Sequence, residues 1–220
     1  MTSTAYRYWD SVWRDPELRQ GWEVPSPWVM EVLAPAWRDA GVREVLDLGC
    51  GPGRHAVALS RLGFSVRAVD KSHSACARAR QVCVAAGAVA EVITADTHSV
   101  PFADASFDAI LAFNVIYHGD GDAVLTSIAE VTRLLRPSGR YAATMLSKRN
   151  IEYGKGIEIA PGTFVQPEAK DDKIHPHLYC DAAGLIRLHP GLELLSCQDV
   201  SQAATGSYHW HCEFERGGET

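Results

Sequence analysis

Gly49, Gly51 and Gly53 fall within five residues, directly after VREVLDL (42–48) and before RHAVALSRLG (54–63). The first stretch alternates apolar with polar residues, as a short buried strand does; the second has helical apolar spacing and stops at Gly63. Glycine has no Cβ, so the backbone between them can turn sharply and a ligand can lie against it. Strand, glycine loop and helix N-terminus together form a nucleotide-type cradle. Two carboxylates flank it. Asp47 precedes the glycines, where it suits a cationic ligand such as a sulfonium bearing an ammonium group and suits a pyrophosphate poorly. Asp70 ends SVRAVD (65–70), where a carboxylate either accepts from both ribose hydroxyls or caps the next helix. The spacing is G-x-G-x-G, and Arg54 stands where the dinucleotide fingerprint G-x-G-x-x-G needs its last glycine, which argues against a nicotinamide oxidoreductase.

Histidine supplies the second group of candidates. His118 lies in NVIYHGDGD beside Tyr117, and its ordinary pKa near neutrality suits either a general base or a packed wall of the site. His175-Pro-His177 and His209-Trp-His211 are both H-x-H pairs. On a strand, alternate residues share a face, so His209 and His211 point the same way. If the two pairs converge, His175, His177, His209 and His211 are candidate metal ligands. They otherwise line a polar substrate pocket or are ordinary hydrogen-bonded histidines.

The elements that must position these residues alternate regularly. Apolar runs predict strands at about 43–48, 65–69, 90–95, 107–114 and 139–146. Between them lie helical patterns at 54–62, at 72–87 with Ser72 as N-cap, and at 123–137 stopped by Pro137. Repeated β-α-β units predict an α/β fold with a doubly wound, Rossmann-like, mostly parallel seven-stranded sheet and helices on both faces. LELLSCQDV (192–200) and SYHWHCEFE (207–215) alternate and are expected as an antiparallel C-terminal hairpin at the sheet edge. YCDAAGLIRL (179–188) is expected as a helix, 28–41 as another, and 147–178 as an irregular segment of functional length. A single domain, 1–220, then divides into a helical cover rich in Tyr and Trp (1–40), a cofactor-binding core (41–146), a substrate lid (147–178) and a C-terminal helix with edge strands (179–220).

With 220 residues, 46% of them hydrophobic and 22% charged, the chain has the composition of a soluble globular protein. The net charge of −6 and the lack of a long basic run speak against nucleic acid as a partner. Six scattered cysteines without a C-x-x-C, no apolar leader and no long apolar run fit a reducing cytoplasm and no membrane.

At DLGCGPGRH (47–55), Asp70, TADTHSVPFADASFDAILAFNVIYH (94–118) and LLRPSGRYAATM (134–145), the chain resembles the class I S-adenosylmethionine-dependent methyltransferases. The resemblance covers roughly residues 40–146; YWDSVW and the short C-terminal half are loosely similar to the small tellurite-resistance and thiopurine-type enzymes. It implies S-adenosylmethionine as cofactor, facing Trp13, Asp47, Gly49, Cys50, Gly51, Gly53, Arg54, His55, Asp70, Lys71, Asp96, Thr97 and Asn114. Asp96 would accept from the adenine amino group, unless it is only a turn cap, and Asn114 would face the methionine moiety. His118, Tyr117, His175 and His209 are the candidate catalytic residues. The expected reaction is in-line methyl transfer to a small-molecule N, O or S/chalcogen acceptor, by a monomer or homodimer. Two other readings stand beside it: a non-catalytic cofactor- or metal-binding protein using the histidine pairs, and a methyltransferase acting on protein or RNA.

Overall fold

The computed structural model describes residues 3–202 and 206–218. Five strands alternate with helices: β1 (Glu44–Leu48), β2 (Ser65–Asp70), β3 (Ala90–Thr94), β4 (Phe107–Ala112) and β5 (Leu135–Ser147). They pair in parallel in the order β3-β2-β1-β4-β5. On the far side of β5 lies β10 (Tyr208–Arg216), antiparallel to it, and then β9 (Leu192–Ser201), antiparallel to β10. These seven strands form the expected wound sheet and C-terminal hairpin.

The pleat explains the two helical layers. Along β4, Ala109 and Leu111 point into one core cluster and Ile110 and Ala112 into the other. The first cluster takes Ala56 and Leu59 from α4 (Arg54–Arg61) and Cys76 and Ala79 from α5 (His73–Ala86). It also takes Trp37 from α3 (Ala34–Asp39) and Val29 and Leu33 from the π-helical stretch Trp28–Leu33. The second takes Val124, Ile128, Val131 and Leu134 from α6 (Gly121–Leu134) and Leu185 from α7 (Ala182–Arg187). Burying each of these large apolar side chains contributes about 1.5–3 kcal/mol. Ser72 caps α5 as expected, its Oγ accepting from the Ala75 N–H at 3.0 Å.

Three expectations need correction. Pro137 does not stop α6, which ends at Leu134; it lies inside β5, between the residues 135 and 140 where the register with β4 shifts. A bulge tolerates a proline because no ladder N–H is needed there. The segment 147–178 is not irregular: β6 (Ile157–Ala160) and β7 (Thr163–Val165) form a hairpin, and β7 pairs with β8 (His177–Cys180), which joins the end of β5 and brings the whole sheet to ten strands. Tyr179 and Cys180 therefore belong to β8, and the expected helix at 179–188 is reduced to α7.

The N-terminal α1 (Ser3–Arg14) is fastened across the cleft. Buried Asp10 accepts from the Ser72 hydroxyl at 2.6 Å and from the Ser74 N–H, so α1 is tied to the start of α5. A short α2 (Pro16–Arg19) follows, capped by Asp15. Among the described residues no helix is long and apolar enough to cross a membrane.

Candidate active site

The strand order reverses between β1 and β4, and the cleft outside the C-terminal strand ends lies there. The loop after β1 is shaped by its glycines. Gly49 has φ +73°, and a Cβ on it would sit within 2.4 Å of the Val115 side chain; Gly53 has φ +90° and would meet the Ala79 Cα at 2.9 Å. Only glycine fits both positions. The loop is then pinned to β2: the N–H groups of Gly49 and Cys50 both donate to the Val69 carbonyl, and that of Gly51 donates to Asp70 Oδ2 at 2.9 Å.

Asp70 is buried, and its Oδ1 accepts from the Ser72 N–H at 2.8 Å. Burial pushes its carboxyl up to about 6, against the pull of these backbone donors. Asp47 is 1% exposed, and its Oδ2 has no hydrogen-bond partner among the described residues. Burial lifts it to about 7, opposed by the Arg54 guanidinium. An unpartnered carboxylate oxygen buried beside a bare backbone loop is costly unless a cation or donor reaches it.

The remaining candidates divide. Cys50, Arg54, Asn114 and Trp13 line the same small cavity as Gly49, Gly51 and Asp70. Trp13 stacks on Trp9, both lie edge-on to Trp22, and these three rings fill the cradle so closely that its cavity measures about 50 Å³. Asn114 has φ +60° and exchanges two hydrogen bonds with Thr144: its N–H donates to the hydroxyl, which donates back to its Oδ1. His55 also lines this cavity, but its Nε2 accepts from the Ser26 N–H, so the acceptor nitrogen faces the N-terminal cover. Lys71 pairs with Asp96 at 2.6 Å; burial, the largest single influence, raises the Asp96 carboxyl, but this bond together with the His98 N–H and nearby positive charge holds it at about 2. Thr97 is buried, with its hydroxyl 3.3 Å from that of Ser127 on α6.

Beside the cradle opens a chamber of about 1120 Å³. The two cavities share the walls Trp9, Trp22, Arg54, Phe113 and Asn114. Tyr117, His177, His209 and His211 reach the chamber from β10, β8 and the segment after β4. Burial keeps the Tyr117 hydroxyl protonated and pushes His209 and His211 down to about 4, so both imidazoles are neutral. His211 Nε2 lies 2.8 Å from Gln202 Nε2 and accepts from that amide, whereas His209 Nδ1 has no partner among the described residues.

The histidine pairs do not converge as a quartet. His209 and His211 share one face of β10 and are buried, yet they stand outside the ligand cluster. His175 and His177 instead meet His118 and Asp172, with one donor atom of each within 4.8 Å of the others. In the sequence, Asp172 has no pattern of its own, and its adjacency to His-Pro-His is the available clue. Asp10 was missed for a similar reason, lying among the aromatics of YWDSVW.

Comparison with known proteins agrees with this architecture. Residues 45–139 match the family described as a methyltransferase domain. The O-methyltransferase resE of Aspergillus sclerotiorum is 30% identical over 134 residues, 59% of this chain and 50% of resE. The methyltransferase GfsG of Streptomyces halstedii is 31% identical over 163 residues, 72% of this chain and 56% of GfsG. The chain thus spans about half the length of the curated relatives it matches. Among solved structures, the 1,6-didemethyltoxoflavin-N1-methyltransferase of Burkholderia thailandensis superposes with a TM-score of 0.73 at 18% identity, over 98% of this chain and 88% of that one. The domain match and the fold support a class I S-adenosylmethionine-dependent methyltransferase.

Proposed function

We propose that the protein binds S-adenosylmethionine in the glycine cradle and methylates a small molecule held in the adjoining chamber. One observation carries this reading: the cradle and the chamber have Trp22, Arg54, Phe113 and Asn114 as common walls. A donor on one side and an acceptor on the other would meet across them. The Burkholderia relative by fold was solved with 1,6-didemethyltoxoflavin and S-adenosylhomocysteine bound, and resE carries the name of an O-methyltransferase, which supports a small acceptor here.

When bound, the cofactor supplies an electrophilic methyl on a sulfonium. This chain's residues do the rest. Asp70 would accept from the ribose hydroxyls with the lone pairs its two backbone donors leave free, and Asp47 would face the cationic end. Trp9, Trp13 and Trp22 on the N-terminal cover would close over the cofactor and exclude water, and Asp96 with Thr97 would flank the adenine. Aligning acceptor and methyl in one enclosure supplies most of the acceleration, about 7–11 kcal/mol in favourable intramolecular cases. For a hydroxyl acceptor, neutral His209, which lines the chamber, would take the proton. Tyr117, kept protonated, would donate a hydrogen bond to the acceptor.

The test is calorimetric titration with S-adenosylmethionine, wild type against Asp70→Ala, followed by mass spectrometry of a small-molecule acceptor panel. Binding that depends on Asp70 and a mass gain of one methylene on an acceptor support the reading. Folded wild-type protein that takes up no cofactor ends it.

A further inference from the structure

The cluster of His118, Asp172, His175 and His177 lies between the two cavities: His118 lines the cradle, and Asp172 and His177 line the chamber. The three histidines are at most 2% exposed, although they come from three places, the segment after β4, the short turn before β8 and β8 itself. Nothing in ordinary core packing calls for three buried imidazoles and a carboxylate in contact, since each polar atom must find a partner or cost about 1–3 kcal/mol.

The hydrogen bonds fix what these groups present to one another. His177 Nδ1 is 2.8 Å from the His175 carbonyl oxygen, which only accepts, so Nδ1 carries the proton. Nε2 of a neutral His177 then holds a lone pair, and it faces Asp172 Oδ2, another acceptor, at 3.2 Å. The second carboxylate oxygen, Oδ1, is already held by Lys173 Nζ at 2.6 Å. On the other side His175 Nε2 lies 3.0 Å from His118 Nδ1, again two nitrogens turned inward, while the outer nitrogens, His175 Nδ1 and His118 Nε2, have no partner among the described residues. A positive species between Nε2 and the carboxylate, a proton or a metal ion, resolves the first contact.

Two features favour the metal. A ring nitrogen donated to a backbone carbonyl, leaving the other free to point inward, is the usual support of a metal-binding histidine. Ligands at about 2.0–2.1 Å from a tetrahedral ion stand roughly 3.3 Å from one another; the two inward contacts, 3.0 and 3.2 Å, are of that length. Imidazole donors with one carboxylate suit zinc-class ions and suit magnesium poorly.

We propose that His118, Asp172, His175 and His177 form a binding site for one divalent transition ion of the zinc class, at the wall between cradle and chamber. Ion binding is independent of the methyl-transfer reading. The role of the ion, to take an oxygen or nitrogen of the acceptor as a fifth ligand and make its proton easier to lose, rests on that reading.

The full chain, stripped with a chelator and dialysed, is titrated with Zn²⁺ by calorimetry and with Co²⁺ by visible absorption, alongside S-adenosylmethionine. The expected result is one equivalent of Zn²⁺ and the ligand-field bands of four-coordinate Co²⁺, with no heat from Mg²⁺. His177→Gln and His118→Gln, with folding checked by circular dichroism, should weaken Zn²⁺ by at least about 100-fold, the scale seen when a metal site loses a supporting group. His73→Ala, at an exposed histidine on α5, should leave Zn²⁺ binding unchanged. Folded protein that binds S-adenosylmethionine but neither Zn²⁺ nor Co²⁺ overturns the proposal and leaves a proton between His177 and Asp172. Equal Zn²⁺ affinity in wild type and both cluster variants overturns it too. Zn²⁺ binding without cofactor binding would keep the metal site and end the methyl-transfer reading instead.

Discussion

The cradle and the chamber are built by different means. The floor of the cradle comes from one short run, residues 49–53, plus a single acid at the end of the next strand; its shape is set by backbone conformation and by N–H groups that pin it to that strand. The chamber and the histidine cluster draw on α1, the segment after β4, β8 and β10, and their chemistry is carried by side chains far apart in the chain. A site of the first kind tolerates no change in backbone geometry. One of the second kind can be altered residue by residue while the fold stands. That difference makes the two regions separable by experiment.

The largest effect is expected at Gly49. Gly49→Ala would place a Cβ against Val115 at a positive φ, and overpacking with backbone strain should cost about 2–4 kcal/mol together with cofactor binding. Urea denaturation measures it, and a loss below 1 kcal/mol, roughly the cost of glycine in an ordinary element, would show that the loop is not so constrained. Asp70→Ala removes the acceptor of two backbone N–H groups and of the proposed ribose contact. At about 1.5–3 kcal/mol for a hydrogen bond to a charged group, cofactor affinity should fall about 100-fold.

The chamber should respond in the opposite sense. His209→Ala is expected to leave cofactor affinity within about twofold, since it lines only the chamber, and to lower turnover of a hydroxyl acceptor about 100-fold, the usual contribution of a general base. If cofactor affinity falls equally, the two regions are not independent and the comparison fails.

Acidity separates them more gently. Asp47 and Asp70 titrate higher in the folded chain, at about 7 and about 6, than the ordinary 3.8. A raised carboxyl takes up its proton in the folded state first, so from these two groups the cofactor-free protein gains stability as pH falls from about 8 toward 4. A cationic ligand needs the ionised form of Asp47, so its affinity should fall over the same range, by up to about tenfold per pH unit below 6. Thermal melts with and without S-adenosylmethionine from pH 5 to 8, the span around those two values, read both slopes. Asp47→Asn should flatten both. The smallest effect is spectroscopic: cofactor entering among Trp9, Trp13 and Trp22 should shift tryptophan emission, and Trp13→Phe should reduce that shift.

The legible part of the molecule follows the same division. Strands β1 to β5 and the hairpin β9–β10 could be read within a few residues because apolar runs and alternation are local. Ser72 could be read as a cap because capping is a local hydrogen bond. The hairpin at 157–165 could not, since three-residue β7 is stabilised by pairing with β8 rather than by its own pattern. Nor could Pro137 be placed, because the bulge that accommodates it depends on the register of β4.

By itself, the sequence determined the glycine loop, the acids at the strand ends and the alternation that winds the sheet, because each depends on backbone preferences acting over a few residues. Tertiary structure alone decided which histidines meet. His175 and His177 turn to His118, 57 residues from His175, and to Asp172, whereas His209 and His211 turn to the chamber. Side chains from β8, β10 and the segment after β4 are brought together by strand order and register, and no local pattern encodes that meeting.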